Sequence, residues 1–73
     1  MKNKNYLIKF ISIGHGTITT WLHNKTEVYK EWKRLIQLSS KEIEKEGNWN
    51  EDIHLHYMVI EDNEGNWIEE HIF

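Results

Sequence analysis

The chain contains no cysteine and no proline, and each absence excludes a class of structure or chemistry. Without cysteine there is no disulfide framework, no thiolate nucleophile and no cysteine-ligated zinc site. Without proline, folding involves no slow isomerisation of an X-Pro bond. A sequence without cysteine is typical of the reducing cytoplasm, and we expect the protein to be cytoplasmic.

Long apolar runs are also missing from the sequence. The apolar stretch at residues 7–13 is short and interrupted by Lys9, and no small-residue cleavage site follows it. No run approaches the ~18 apolar residues that a membrane-spanning helix needs. We therefore expect neither a signal peptide nor a membrane segment, and we expect the 73 residues to form one small domain.

The formal net charge of −3 conceals a strong asymmetry along the chain. Residues 1–41 contain eight of the nine basic residues and two of the twelve acidic ones, a formal charge of +6. Residues 42–73 contain one basic and ten acidic residues, a formal charge of −9. The two halves can neutralise one another on folding, or form a bipolar surface whose acidic side suits a basic partner. The overall negative charge argues against simple binding to a phosphate backbone.

A helical pattern in the middle of the chain organises the predicted fold. Residues at the spacing of one helix face form a stripe that consists of Val28, Trp32, Leu35, Ser39 and Ile43. This stripe predicts one long helix from about residue 26 to residue 46, with Asn24 or Thr26 as its N-cap. The pair Ser39-Ser40 is a weak point, where a break would produce two shorter helices.

Four segments rich in β-branched and aromatic residues flank this helix. They predict strands at residues 6–13, 17–23, 53–60 and 67–73. Two hairpins joined by one crossing helix form an α+β domain of order β-β-α-β-β, with a four-stranded, mainly antiparallel sheet and the helix on one face. The second segment alternates only weakly, so a three-stranded sheet is the alternative.

One helix can cover only one face of such a sheet, yet apolar residues fall on both faces. In the third predicted strand, Tyr57 and Val59 alternate with Met58, and in the last strand Trp67 opposes Ile72. The face away from the helix then binds a partner or a second copy of the chain, unless loops and the helix ends cover it.

Exposed aromatic residues and the acidic residues near them are the candidate binding residues. Aromatic side chains at exposed positions are typical anchors of protein interfaces, and acidic residues favour a basic partner over self-association. The predicted binding residues are Tyr57, Trp67, Trp49, Glu69 and Glu70. A composition rich in Lys, Asn, Ile and Glu is typical of AT-rich bacterial or phage genomes. We therefore expect a non-enzymatic phage or prophage protein that binds and modulates a host protein, with a homodimer as the alternative.

Two other functions compete with this hypothesis. His54 and His56 could hold a metal ion together with His71, but only if the C-terminal hairpin has a two-residue turn rather than a three-residue loop. We expect no metal, no cofactor and no catalytic residues, since nothing selects an acid–base pair or a nucleophile. The basic residues of the first half could instead bind nucleic acid, and these are Lys2, Lys4, Lys9, Lys25, Lys30, Lys33 and Arg34.

Overall fold

Two antiparallel hairpins and two helices between them make up residues 5–73, the part of the chain that this computed structural model describes; of Ile18 and Thr19 it describes only the backbone. The elements are β1 (Tyr6–Ser12), β2 (Gly16–His23), α1 (Lys25–Leu35), α2 (Ser40–Glu46), β3 (Tyr57–Glu61) and β4 (Trp67–Ile72). The strand order across the sheet is β2-β1-β3-β4, and each neighbouring pair is antiparallel. The predicted small α+β fold with an antiparallel sheet is confirmed, and the alternative without the second strand is excluded.

The single long helix predicted from the stripe is wrong, because the chain breaks at Ser39. The Ser39 hydroxyl accepts from the amide of Glu42 at 3.2 Å, and the Glu42 carboxylate accepts from the amide of Ser39 at 2.8 Å. This capping box starts α2, and it holds Ser39 in an extended conformation with φ −80° and ψ 162°. A continuous helix cannot pass through such a residue. The cap of α1 is Asn24, as one of the two predictions had it.

Both helices cover the same face of the sheet. From the sheet, alternate residues of β1 and of β3 point toward the helices, and the predicted helical stripe meets them from above. The core consists of Tyr6, Ile8, Phe10, Val28, Trp32, Leu35, Ile43, Leu55, Met58 and Ile60. Four of the five stripe residues are therefore buried as predicted, and the fifth, Ser39, serves as the helix cap instead.

The third strand begins at Tyr57 rather than at residue 53. Residues 53–56 lie outside the regular strand, so the predicted alternation does not extend to them. Leu55 is 4% exposed and joins the core. In a regular strand, Leu55 and Tyr57 would point to the same face because they are two residues apart, yet Tyr57 points away from the helices. The Leu55 amide donates to the carboxylate of Glu44 at 2.7 Å, which ties this segment to α2.

A three-residue loop joins β3 to β4. The amide of Asp62 donates to the carbonyl of Asn66 at 2.9 Å, which closes the loop around residues 63–65. Gly65 has φ +86°, the left-handed conformation that such a loop requires at this position.

A β-bulge follows this loop and shifts the register of β4 by one residue. Trp67 pairs with Glu61, whereas Ile72 pairs with Tyr57, so Ile68 is the extra residue. Trp67 and Ile72 therefore lie on the same face, away from the helices. The prediction that they oppose one another was wrong because it assumed unbroken alternation.

We predict that Trp32→Ala and Ile43→Ala each lower the free energy of unfolding by ~2–5 kcal/mol, as large-to-small changes in a packed core do. The two side chains are 6% and 4% exposed. Ile36 is 37% exposed, and Ile36→Ala is the control, with an expected change of less than about 1 kcal/mol. Chemical denaturation measures all three. An unchanged midpoint in Trp32→Ala or Ile43→Ala would show that the stripe does not form the core.

Candidate binding surface

The sheet face turned away from the helices, called the outer face below, presents three rows of side chains across all four strands. From β2 to β4, the rows are Leu22, Leu7, Glu61 and Trp67; Thr20, Lys9, Val59 and Glu70; and Thr17, Ile11, Tyr57 and Ile72. The first and third rows are mostly apolar, and three of their large side chains are exposed: Leu22 at 62%, Trp67 at 49% and Ile72 at 71%. Both helices lie on the opposite face, so these side chains form an open apolar surface.

A cluster of five residues lies across β1, β3 and β4 on the outer face: Lys9, Tyr57, Val59, Glu61 and Trp67, called the Trp67 cluster below. The Lys9 ammonium lies 2.9 Å from a carboxylate oxygen of Glu61, and the Trp67 indole N–H donates to the same oxygen at 3.1 Å. The ring centroids of Trp67 and Tyr57 are 6.1 Å apart. Val59 is fully buried, since the side chains of its neighbours close over it.

This geometry fixes Trp67 without hiding it. The side chain of Glu61 is 11% exposed, and its carboxylate bonds both the ammonium of Lys9 and the indole N–H of Trp67. Hydrogen bonds to a charged acceptor are stronger than neutral ones, and a shielded one is less weakened by water. The indole is therefore held along its polar edge, while about half of the residue remains available to a ligand.

The strand β4 forms one edge of the described sheet, with β3 on one side only. The amide of Phe73 donates to the carbonyl of His56 at 3.1 Å. Since backbone groups alternate in an antiparallel pair, those of Ile72 and Glu70 point away from the sheet. An open backbone edge thus borders the outer face beside Trp67 and Ile72.

The five predicted binding residues do not form one site. Tyr57, Trp67 and Glu70 share the outer face. Glu69 points to the helix side, where the Tyr29 hydroxyl donates to it at 3.4 Å. Burial, and then the charge of Glu69, raise the pKa of Tyr29. Trp49 also lies on the helix side, 6.2 Å from the ring of Phe10.

Lys9 and Glu61 are residues of the outer face that the sequence interpretation did not include among the protein-binding residues, although Lys9 was a candidate for binding nucleic acid. The available signal was Glu61 itself, an acid directly after the apolar run of β3, together with Lys9 inside the apolar run of β1. Their contact depends on the pairing of β1 with β3, in which Leu7 lies opposite Glu61 and Lys9 opposite Val59. Sequence spacing alone does not determine that register.

The histidines of the metal hypothesis lie in three different environments. His54 is 3.6 Å from a Glu44 carboxylate, His56 accepts the amide of Ile13 at 3.1 Å, and the ring of His71 contacts Phe73. The bulge places His71 opposite Met58 even though the loop has three residues, so the predicted link between loop length and register was wrong. Residues 5–73 contain no group of three or more histidine or acidic side chains suited to a metal ion.

The basic residues of the nucleic-acid hypothesis are partly engaged in ion pairs. Lys9 contacts Glu61, and the Arg34 guanidinium binds Glu31 at 2.7 Å and Glu46 at 3.1 Å. These hydrogen bonds raise the pKa of Arg34, which stays charged. A shallow groove beside α1 is lined by Lys25, Thr26, Tyr29, Lys30 and Lys33. Lys2 and Lys4 lie outside the described residues.

Comparisons of the chain with protein-family models, with curated proteins and with solved structures give no match. Within residues 5–73, no helix is long and apolar enough to cross a membrane. The surfaces of the molecule are therefore the basis for any functional inference.

We predict that Glu61→Ala shifts the indole N–H resonance of Trp67 and speeds its exchange with solvent, because the indole loses its acceptor. The other three tryptophan resonances should change little. Glu70→Ala, on the same face, is the control and should leave Trp67 unaffected. Two-dimensional ¹H–¹⁵N NMR measures all four indoles, and an unchanged Trp67 resonance in Glu61→Ala would contradict the hydrogen bond.

The Arg34 guanidinium, through its hydrogen bonds, holds the pKa of Glu46 below its ordinary value. We predict that Arg34→Gln returns this pKa to the ordinary range, whereas Lys30→Gln does not move it. The ion pair stabilises the fold above the pKa of Glu46 in the unfolded chain, and that contribution is lost as the pH falls through the lower, folded value. The chemical shift of the Glu46 carboxyl carbon during a pH titration measures this pKa. Identical titration curves for wild type and Arg34→Gln would contradict the prediction.

Proposed function

We propose that the protein is a small non-enzymatic module that binds another protein through the outer face, with Trp67 and Tyr57 as anchors. The observation that carries this proposal is the state of Trp67. It is 49% exposed, yet its indole N–H is fixed to a buried carboxylate. A tryptophan that only filled the core would be covered, whereas an anchor is both exposed and held in place.

An anchor that is already fixed binds at a lower entropic cost. Ordering a flexible side chain at an interface makes the free energy of binding less favourable, and a side chain that is already held avoids part of that cost. Tryptophan and tyrosine are also the residue types that dominate binding energy in protein interfaces. The apolar area around these anchors is extended by Ile72 beside Tyr57, and by Leu22 on β2 at the opposite edge of the same face.

The charge around the outer face favours a basic partner. The positive charge of Lys9 is compensated by Glu61, whereas Glu70 is exposed at the edge of the face and Glu64 in the adjoining loop. Two copies that paired along their β4 edges would bring the carboxylates of Glu69 and Glu70 of both copies into one small region. Since like charges at such positions repel, a basic protein is preferred to a second copy of this chain.

The origin and setting of this binding are part of the same proposal. The composition that favours phage or prophage origin would make the partner a host protein, met in the cytoplasm and modulated by occupation of its basic surface. Most acidic residues are in the second half of the chain, which also contains Trp67 and Tyr57, and this supports the choice of a basic partner.

The test is capture of a partner from host lysate by immobilised wild type and by two variants. We predict that Trp67→Ala weakens binding of the captured protein by about 2 kcal/mol or more, roughly thirtyfold in Kd. Ile36→Ala is the control, because Ile36 is also an exposed apolar residue but caps the C-terminal end of α1, on the helix side of the sheet. Binding should weaken as salt is added.

Two results would contradict the proposal. Equal capture by wild type, Trp67→Ala and Ile36→Ala would show that the outer face is not the interface. Light scattering after size exclusion could instead detect a dimer that Ile72→Glu dissociates, and the homodimer would then replace the hetero-partner.

A further inference from the structure

A pocket of about 260 Å³ lies on the helix side of the sheet, opposite the outer face. Its lining comes from both strands of the first hairpin, from the end of α2 and from the loop that follows it. The lining residues are Phe10, Trp21, Ile43, Glu46, Gly47 and Trp49. Three of these six residues are aromatic, and the protein-binding proposal uses none of them as an anchor.

The ring of Phe10 is turned steeply against both tryptophan rings of this pocket. The Phe10 ring lies 5.4 Å from Trp21 at an interplanar angle of 73°, and 6.2 Å from Trp49 at 83°. Phe10 is 1% exposed and forms the floor, while the half-buried indoles of Trp21 and Trp49 form walls. Aromatic rings that line a cavity attract an organic cation where their negative faces meet it.

The backbone around Trp49 holds its indole at the pocket. The amide of Trp49 donates to the carbonyl of Glu44 at 3.0 Å, which fixes the loop against α2. The indole lies across Gly47, where an added Cβ would come within 2.5 Å of Nε1. Asn48 between them adopts φ +54°, which directs the chain back toward the pocket. Glycine at position 47 therefore allows Trp49 to occupy its place.

A single acidic side chain, Glu46, lies at the pocket. Both of its carboxylate oxygens accept hydrogen bonds from Arg34, each at 3.1 Å, and Arg34 also binds Glu31. These three side chains together have a formal charge of −1. A cation in the pocket is therefore attracted, but it finds the hydrogen-bonding capacity of the carboxylate already largely occupied.

We propose that this pocket binds a methylated ammonium group, as present in choline-like molecules and in trimethylated lysine. Such a group is cationic but donates no hydrogen bonds, so it needs aromatic faces and a nearby negative charge rather than free acceptors. A primary ammonium or a guanidinium would lose the hydrogen bonds that its N–H groups make with water. The carboxylate of Glu46, already bound to Arg34, cannot replace them.

The test is titration of the protein with choline, followed through the indole N–H resonances at constant ionic strength. We expect saturable shifts of Trp21 and Trp49, with Trp67 unaffected. The neutral analogue 3,3-dimethylbutanol has the same shape without the charge, and we expect it to bind at least about tenfold more weakly. Equal binding of both molecules, or no saturable shift of Trp21 and Trp49, would overturn the proposal.

Variants separate this pocket from the outer face. Trp49→Ala should weaken choline binding at least about tenfold, while Trp67→Ala should leave it unchanged. Should Trp49→Ala fail to fold, Gly47→Ala removes the wall differently, by displacing the indole. Undiminished binding in a folded Trp49→Ala or Gly47→Ala variant would overturn the proposal. A peptide with one trimethyllysine, compared with choline, then identifies the source: tighter peptide binding indicates a modified protein, and equal binding indicates a free small molecule.

Discussion

The antiparallel pairing of β1 with β3 is the contact on which the rest of the structure depends. It brings together the two hairpins, which are separated in the chain by both helices, and it sets Ile8 opposite Ile60 and Phe10 opposite Met58. These four side chains are at most 1% exposed and form the layer that the helices cover. With so few residues, the chain has helical surface for one side of the sheet only. The outer face is a consequence of that limit, because the same pairing that buries one side must present Lys9, Val59 and Glu61 on the other.

Local patterns in the sequence predicted the parts of this structure that depend on neighbours in the chain. The stripe of Val28, Trp32, Leu35 and Ile43 follows from helical periodicity, and the Asn24 cap from side-chain chemistry. The break at Ser39 was visible only as a weakness, because a stripe with the correct spacing continues across it. Two short helices can share one apolar stripe, and the capping box decides between them and a single helix.

The parts that could not be predicted depend on pairing between distant segments. The bulge at Ile68 and the late start of β3 change which face each side chain occupies, and neither has a local signal. The bulge is why Trp67 and Ile72 were assigned to opposite faces. Trp49 was grouped with residues on the other side of the sheet for a different reason: its place depends on the loop after α2, where its amide donates to the carbonyl of Glu44. The residue types of the candidate site were identifiable from sequence, but their arrangement required the register.

The opposite charges of the two halves meet at specific places. Lys9 binds Glu61 and Arg34 binds Glu46, and in each pair a basic residue from the first half meets an acidic residue from the second. Pairs of this kind join distant parts of the chain and neutralise charge locally, although an exposed pair such as Arg34–Glu46 adds little to stability. What remains is spatially sorted, with lysines along α1 and carboxylates beside β4.

The bulge at Ile68 also affects how the protein tolerates changes in its length. Trp67 pairs with Glu61 and Glu69 pairs with Ile60, so Ile68 is the one residue of β4 between two consecutive partners. A chain that lacked Ile68 could form a regular strand in which all the remaining residues of β4 keep their partners and their faces. An extra residue anywhere from 69 to 72 would instead exchange the two faces for part of the strand. A natural variant one residue shorter at this position would therefore keep the same outer face, although an alignment would show a gap inside a strand.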